Sequence, residues 1–87
     1  MKRKTSKPER SLTGVVQGVT YVDGFFRILE VAIVTTGFDW EGTTITVTGN
    51  LGPLVVGDYC RFTGRLQESK RYGIQFQASR AERLPLS

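Results

Sequence analysis

Three short clusters in this sequence carry side chains with chemistry to offer. Lys70, Arg71 and Tyr72 stand together, with Gln75 three residues further on, and Phe25 and Phe26 immediately precede Arg27. An aromatic ring stacks on a nucleic-acid base and a lysine or arginine neutralises a phosphate. A glutamine amide can bond a base edge, a backbone or a partner domain. Arg27, Lys70, Arg71, Tyr72 and Gln75 are therefore candidate nucleic-acid contacts. Two plainer readings stand beside this one: Lys70 and Arg71 as a soluble turn, and at least one of Phe25 and Phe26 as core. The third cluster is Phe38 and Trp40, set between Gly37 and Gly42 with Asp39 and Glu41 as neighbours. Two acids repel a phosphate backbone, so Phe38 and Trp40 are expected to contact protein, either their own barrel or a docking partner.

Catalytic chemistry has little to work with. The chain of 87 residues has no histidine and a single cysteine, Cys60. That removes the usual base near neutral pH and any ordinary zinc site. No phosphate loop of the GxxxxGK[ST] kind is present. The carboxylates are scattered, and Cys60 shares the apolar parity of its neighbours, which fits an inert core residue. The expectation is a non-enzymatic chain with no cofactor and no metal.

The elements that must position these residues are strands. No stretch holds a 3.6-residue apolar period. Segments 12–21, 25–35, 43–49, 59–66 and 72–82 read as five strands rich in β-branched and aromatic residues. Residues 22–24 form a tight turn, 36–42 a loop and 67–71 a polar turn. Residues 51–58 are too short and too rich in glycine and proline for a helix. In the second segment Phe26 and Ile28 conflict in parity with Leu29, Val31 and Ile33, which predicts a bulge near Leu29 or Glu30. The predicted core is Val16, Val19, Ile28, Ile45, Val47, Cys60, Phe62, Ile74 and Phe76. The fold class is all-β: a five-stranded OB-type Greek-key barrel with no or minimal helix between strands 3 and 4. An SH3-like barrel has the same strand count, and the long, bent second strand favours the OB form.

The net charge of +4 sits entirely in residues 1–10, where Lys2, Arg3, Lys4, Lys7 and Arg10 face only Glu9; the remaining seven basic and seven acidic residues cancel. Residues 1–10 are predicted to be a disordered basic tail and 11–87 the folded domain. Such a tail would dominate nonspecific affinity for single-stranded DNA through counterion release. No apolar run approaches a membrane span and the start is no secretory signal, so a cytoplasmic protein without a membrane partner is expected.

The second half also carries a family pattern. Val47 and Gly49 end a strand as V-x-G. Gly57 and Asp58 precede the next strand, Gly64 lies within it, and Tyr72, Gly73, Ile74, Gln75 and Phe76 read Y-G-x-Q-F. Gly14, Val16 and Val19 fit an opening G-x-V-x-x-V, and residues 26–31 a matching second strand. This resembles the N-terminal OB domain of the long-form RecD-type DNA helicases. The first hairpin turn is shorter than that family's usual one. The resemblance implies a module that contacts single-stranded DNA or positions helicase domains, with ATP hydrolysis residing in downstream helicase domains of a longer parent chain. A protein-docking module or a free-standing OB protein without nucleic-acid binding is the alternative.

Overall fold

The computed structural model describes residues 9–71 and 73–85. Five strands account for most of them: β1 (Arg10–Asp23), β2 (Phe26–Thr36), β3 (Thr44–Asn50), β4 (Tyr59–Ser69) and β5 (Gly73–Arg83). They close in the order β1-β2-β3-β5-β4. Neighbours run antiparallel except β3 and β5, which pair in parallel at Val47–Phe76 and Thr48–Gln77. This is the OB arrangement, and no helix occurs among the described residues. Of the predicted basic tail, residues 1–8 lie outside the described residues, and β1 already begins at Arg10.

β1 can close the barrel because it is long enough to serve two neighbours. Its first part, Arg10 to Val15, pairs with β4, while Leu12 to Asp23 pairs with β2. A strand that turns a corner needs extra residues on its outer path. The register steps from Val16–Val31 to Gly18–Glu30 and from Val19–Leu29 to Tyr21–Ile28, leaving Gln17 and Thr20 as extra residues on β1. A third irregularity leaves Val34 extra on β2. The bulge expected near Leu29 or Glu30 is absent: β2 pairs with β3 without a break from Phe26 to Ala32. The parity conflict is resolved differently. Leu29 and Val31 face inward and are fully buried, and Ile28 lies on the outside.

Of the predicted core, Val16, Ile45, Val47, Cys60, Phe62 and Phe76 are buried, and Val19 packs half-buried against them. Ile28 and Ile74 are corrections. Ile28 sits on the outer face, and Ile74 is 49% exposed because β5 projects beyond the closed part of the barrel before Phe76 enters it. Leu12, Leu29, Val31, Leu51, Leu54 and Ala78 complete the core.

Residues 51–58 take the place a helix would occupy. Leu51 and Leu54 are buried, and the Leu54 N–H donates to the Leu51 carbonyl at 2.9 Å. The Leu51 and Gly52 N–H groups donate to the Phe25 carbonyl. Gly57 donates to the Val16 carbonyl and Val16 returns a bond to the Asp58 carbonyl. A connection whose backbone polar groups are met in this way needs no helical ladder.

Cys60 is sealed in this core. Burial pushes its thiol up to about 11, with Asp58 adding to the rise and Arg83 opposing it. The reactive thiolate is thus scarce in the folded protein. Alkylation by iodoacetamide at pH 8 is expected to be slow in buffer and fast in denaturant; equal rates would contradict the packing. The linked stability follows in sign. The thiol titrates near 9 when unfolded and about 11 when folded, so its contribution is intact below pH 9 and is lost as pH rises toward 11.

Candidate nucleic-acid interface

Residues of alternate parity leave the barrel on its outer face, and there β1, β2, β3 and β5 frame an open groove of about 420 Å³. Thr20, Tyr21, Ile28, Thr46 and Gln75 line it. The bulge at Thr20 brings the end of β1 across β2, and the Thr20 hydroxyl donates to the Ile28 carbonyl at 3.0 Å. Ile28 supplies an apolar wall, while Thr46 and Gln75, both half-buried, supply polar atoms.

One aromatic ring, Tyr21, lines this groove, and Phe26 packs against it. Tyr21 and Phe26 meet edge to face with centroids 6.2 Å apart. Phe25, in the two-residue turn, is 74% exposed, and Phe26 is 39% exposed. The expectation that one of the two phenylalanines enters the core fails: the inward positions of β2 belong to Leu29 and Val31, and the Phe25 backbone is held outside by its bonds to Leu51 and Gly52.

The candidate cations divide. Lys70 and Arg71 are exposed in the turn between β4 and β5, just before Gln75 on β5. The Arg71 N–H donates to the Ser69 hydroxyl at 3.2 Å, which shapes that turn. Gly73 has φ +78°, a conformation that glycine adopts without strain. Tyr72 lies outside the described residues. Arg27 does not join Lys70 and Arg71. It shares the inward parity of Leu29, is half-buried, and donates from Nη1 to the Leu54 carbonyl at 3.1 Å. Its Nε is buried without a partner among the described residues. Arg27 therefore ties β2 to the 51–58 connection.

Phe38 and Trp40 fold back onto their own barrel. Phe38 stacks on the core residue Phe76 with centroids 5.9 Å apart and planes 14° apart. Trp40 meets Phe38 edge to face, and its indole N–H donates to the Thr44 carbonyl at 3.0 Å. The Thr36 hydroxyl donates to the Phe38 carbonyl and the Gly37 N–H to the Ser11 carbonyl, which pins the loop. Both rings are half-buried against the core, so neither stands out from the loop as a free anchor. Trp40 is the single tryptophan, so emission excited selectively in the indole band reports on it alone. Oligonucleotide is expected to leave that emission nearly unchanged; strong, saturable quenching would place Trp40 in the interface.

Sequence reasoning missed Thr20, Tyr21, Ile28 and Thr46 as groove residues. The signal for Ile28 was present, since it shares parity with the exposed Phe26. Thr20 and Tyr21 depend on a bulge at Thr20; Gly14 and Gly18 mark β1 as a strand that bends or bulges but do not place that bulge.

Compared with known families, residues 9–85 match the model described as the OB-fold domain of ATP-dependent DNA helicase YrrC. The chain belongs to this family. It is a YrrC-type OB-fold domain, from a helicase family. The match covers the whole described barrel, including the Gly57–Asp58 entry to β4 and the Gly73–Phe76 segment of β5. No curated protein and no solved structure matches the chain.

Proposed function

We propose that this YrrC-type domain is a non-catalytic module that holds single-stranded DNA across its outer groove within an ATP-dependent helicase. The observation that carries this reading is Tyr21, with Phe26 packed against it, exposed at a groove with polar Thr46 and Gln75, and Phe25 exposed in the adjoining turn. OB barrels bind single strands on the face of strands 2 and 3, framed by the first and last hairpin loops. Here those parts are β2, β3, the Phe25 turn and the Lys70–Arg71 turn. Bases stack on the rings, Gln75 and Thr46 meet a base edge, and Lys70 and Arg71 neutralise phosphate. The withdrawal of Phe38 and Trp40 into the barrel favours this over docking through the 37–43 loop.

Titration of a labelled oligothymidylate, followed by anisotropy at low salt, tests the reading. Stacking on an aromatic contributes ~1–3 kcal/mol per base, so Phe25→Ala/Phe26→Ala should weaken binding about 5- to 150-fold. Affinity unchanged in the double variant, with its thermal midpoint retained, would overturn it.

A further inference from the structure

A second face of the barrel extends this path. Cys60, Phe62 and Gly64 point inward on β4, so Arg61, Thr63 and Arg65 point out. On β5, Phe76 and Ala78 point inward and Gln75 and Gln77 out. The register then slips: Thr63 pairs with Arg80 but Gly64 with Ala78, leaving Ser79 as an extra residue. The Ser79 hydroxyl donates to the Thr63 carbonyl at 3.1 Å and to Glu9 at 2.9 Å, which fixes the bulge. Its effect is to switch the parity of β5, so that Arg80 comes out level with Thr63. Arg65 and Arg61 on β4 and Arg80 on β5 are thereby offset along the strand axis by two residues each, about 7 Å.

Arg65 and Arg80 are exposed and have no ion-pair partner among the described residues. Arg61 meets Glu82 at 3.3 Å, an exposed pair of the kind that contributes little. Glu9, held by Ser79, and Glu82 are the acids on this face, and Glu82 marks its far end. The near end is Gln77, opposite Arg65 and two residues from Gln75 in the groove.

We infer that a single strand leaving the groove continues along β5 onto Arg65 and Arg80, which bind its phosphates. This rests on the groove reading above but concerns different residues. Charge complementarity and continuity with the groove both point to a sugar–phosphate backbone as the occupant.

The test compares oligothymidylates of about 4 and about 12 nucleotides, which span the lengths an OB fold covers, on the full chain and on Arg65→Ala/Arg80→Ala. Each phosphate contact on a single strand contributes ~0.7 to the slope of log K against log salt, so the variant should lose about 1.4 from the slope for the longer oligonucleotide. Its affinity for the shorter one should stay unchanged. An unchanged slope for the longer oligonucleotide, with the shorter still bound in a Phe25- and Phe26-dependent way, would overturn the arginine path and leave the groove standing. Arginine-dependent binding of the longer oligonucleotide, with no binding of the shorter, would retain the arginines and overturn the groove. No binding of either length would overturn both.

Discussion

Phe62→Ala is expected to cost the barrel about 3–5 kcal/mol, as large-to-small changes at buried aromatics do. Phe62 is 0% exposed and stands opposite Leu12 on β1 and Ala81 on β5, at the middle of the sheet that closes the barrel. Its ring is one of the two largest fully buried side chains, the other being Phe76. Truncation leaves a cavity that the paired strands cannot fill without giving up their hydrogen bonds. A domain of this size has roughly 5–15 kcal/mol in total, so the loss removes a large fraction of its stability. A urea titration reads the effect directly, and a loss below ~1 kcal/mol would mean that the ring is not the centre of the core.

Gly64→Val should be comparably damaging for the opposite reason. A Cβ at residue 64 would collide with the Gln77 carbonyl oxygen and would lie 2.8 Å from the Ala78 Cα. Those atoms are backbone of β5 and cannot rotate away. The glycine is the point at which β4 and β5 approach across the Ser79 bulge. Overpacking of a tight interior costs ~1–3 kcal/mol and occasionally more, and valine at a backbone-to-backbone contact belongs at the upper end. Gly64→Ala should produce most of the loss, since the first carbon already collides. If alanine is tolerated with an unchanged unfolding midpoint, the strands do not approach as closely as described.

How far the sequence could be read depended on whether a feature was local. The regular alternation in 43–49 and 59–66 placed Ile45, Val47, Cys60 and Phe62 inside, because period two allows one answer where the strand is straight. β2 defeated the same logic. Its apolar residues occupy both parities, and the choice between Ile28 and Leu29 is made by where β3 and the bulged β1 lie, which is information held elsewhere in the chain. Gln75, Lys70 and Arg71 were legible as candidates because their types suggest the chemistry. Arg27 was a candidate on the same ground, and its type alone did not show that its inward parity brings it to the Leu54 carbonyl. Trp40 was expected to contact protein because acids flank it, and the choice between its own barrel and a neighbour was left to the loop's packing.

β5 pairs with β3 on one side and β4 on the other, and so it is the stave that completes the circle. During synthesis it emerges last. Until residues 73–83 leave the ribosome, β3 and β4 each present an unpaired edge, the template on which chains join to one another. The β1–β2 hairpin can form early, but the Arg10–Gly64 and Cys60–Arg83 pairings wait for distant partners, which places this barrel among the slower, millisecond-to-second folders. A nascent chain stalled before Gly73 is therefore the sticky species, and β5 is both a wall of the groove and the strand that removes both open edges.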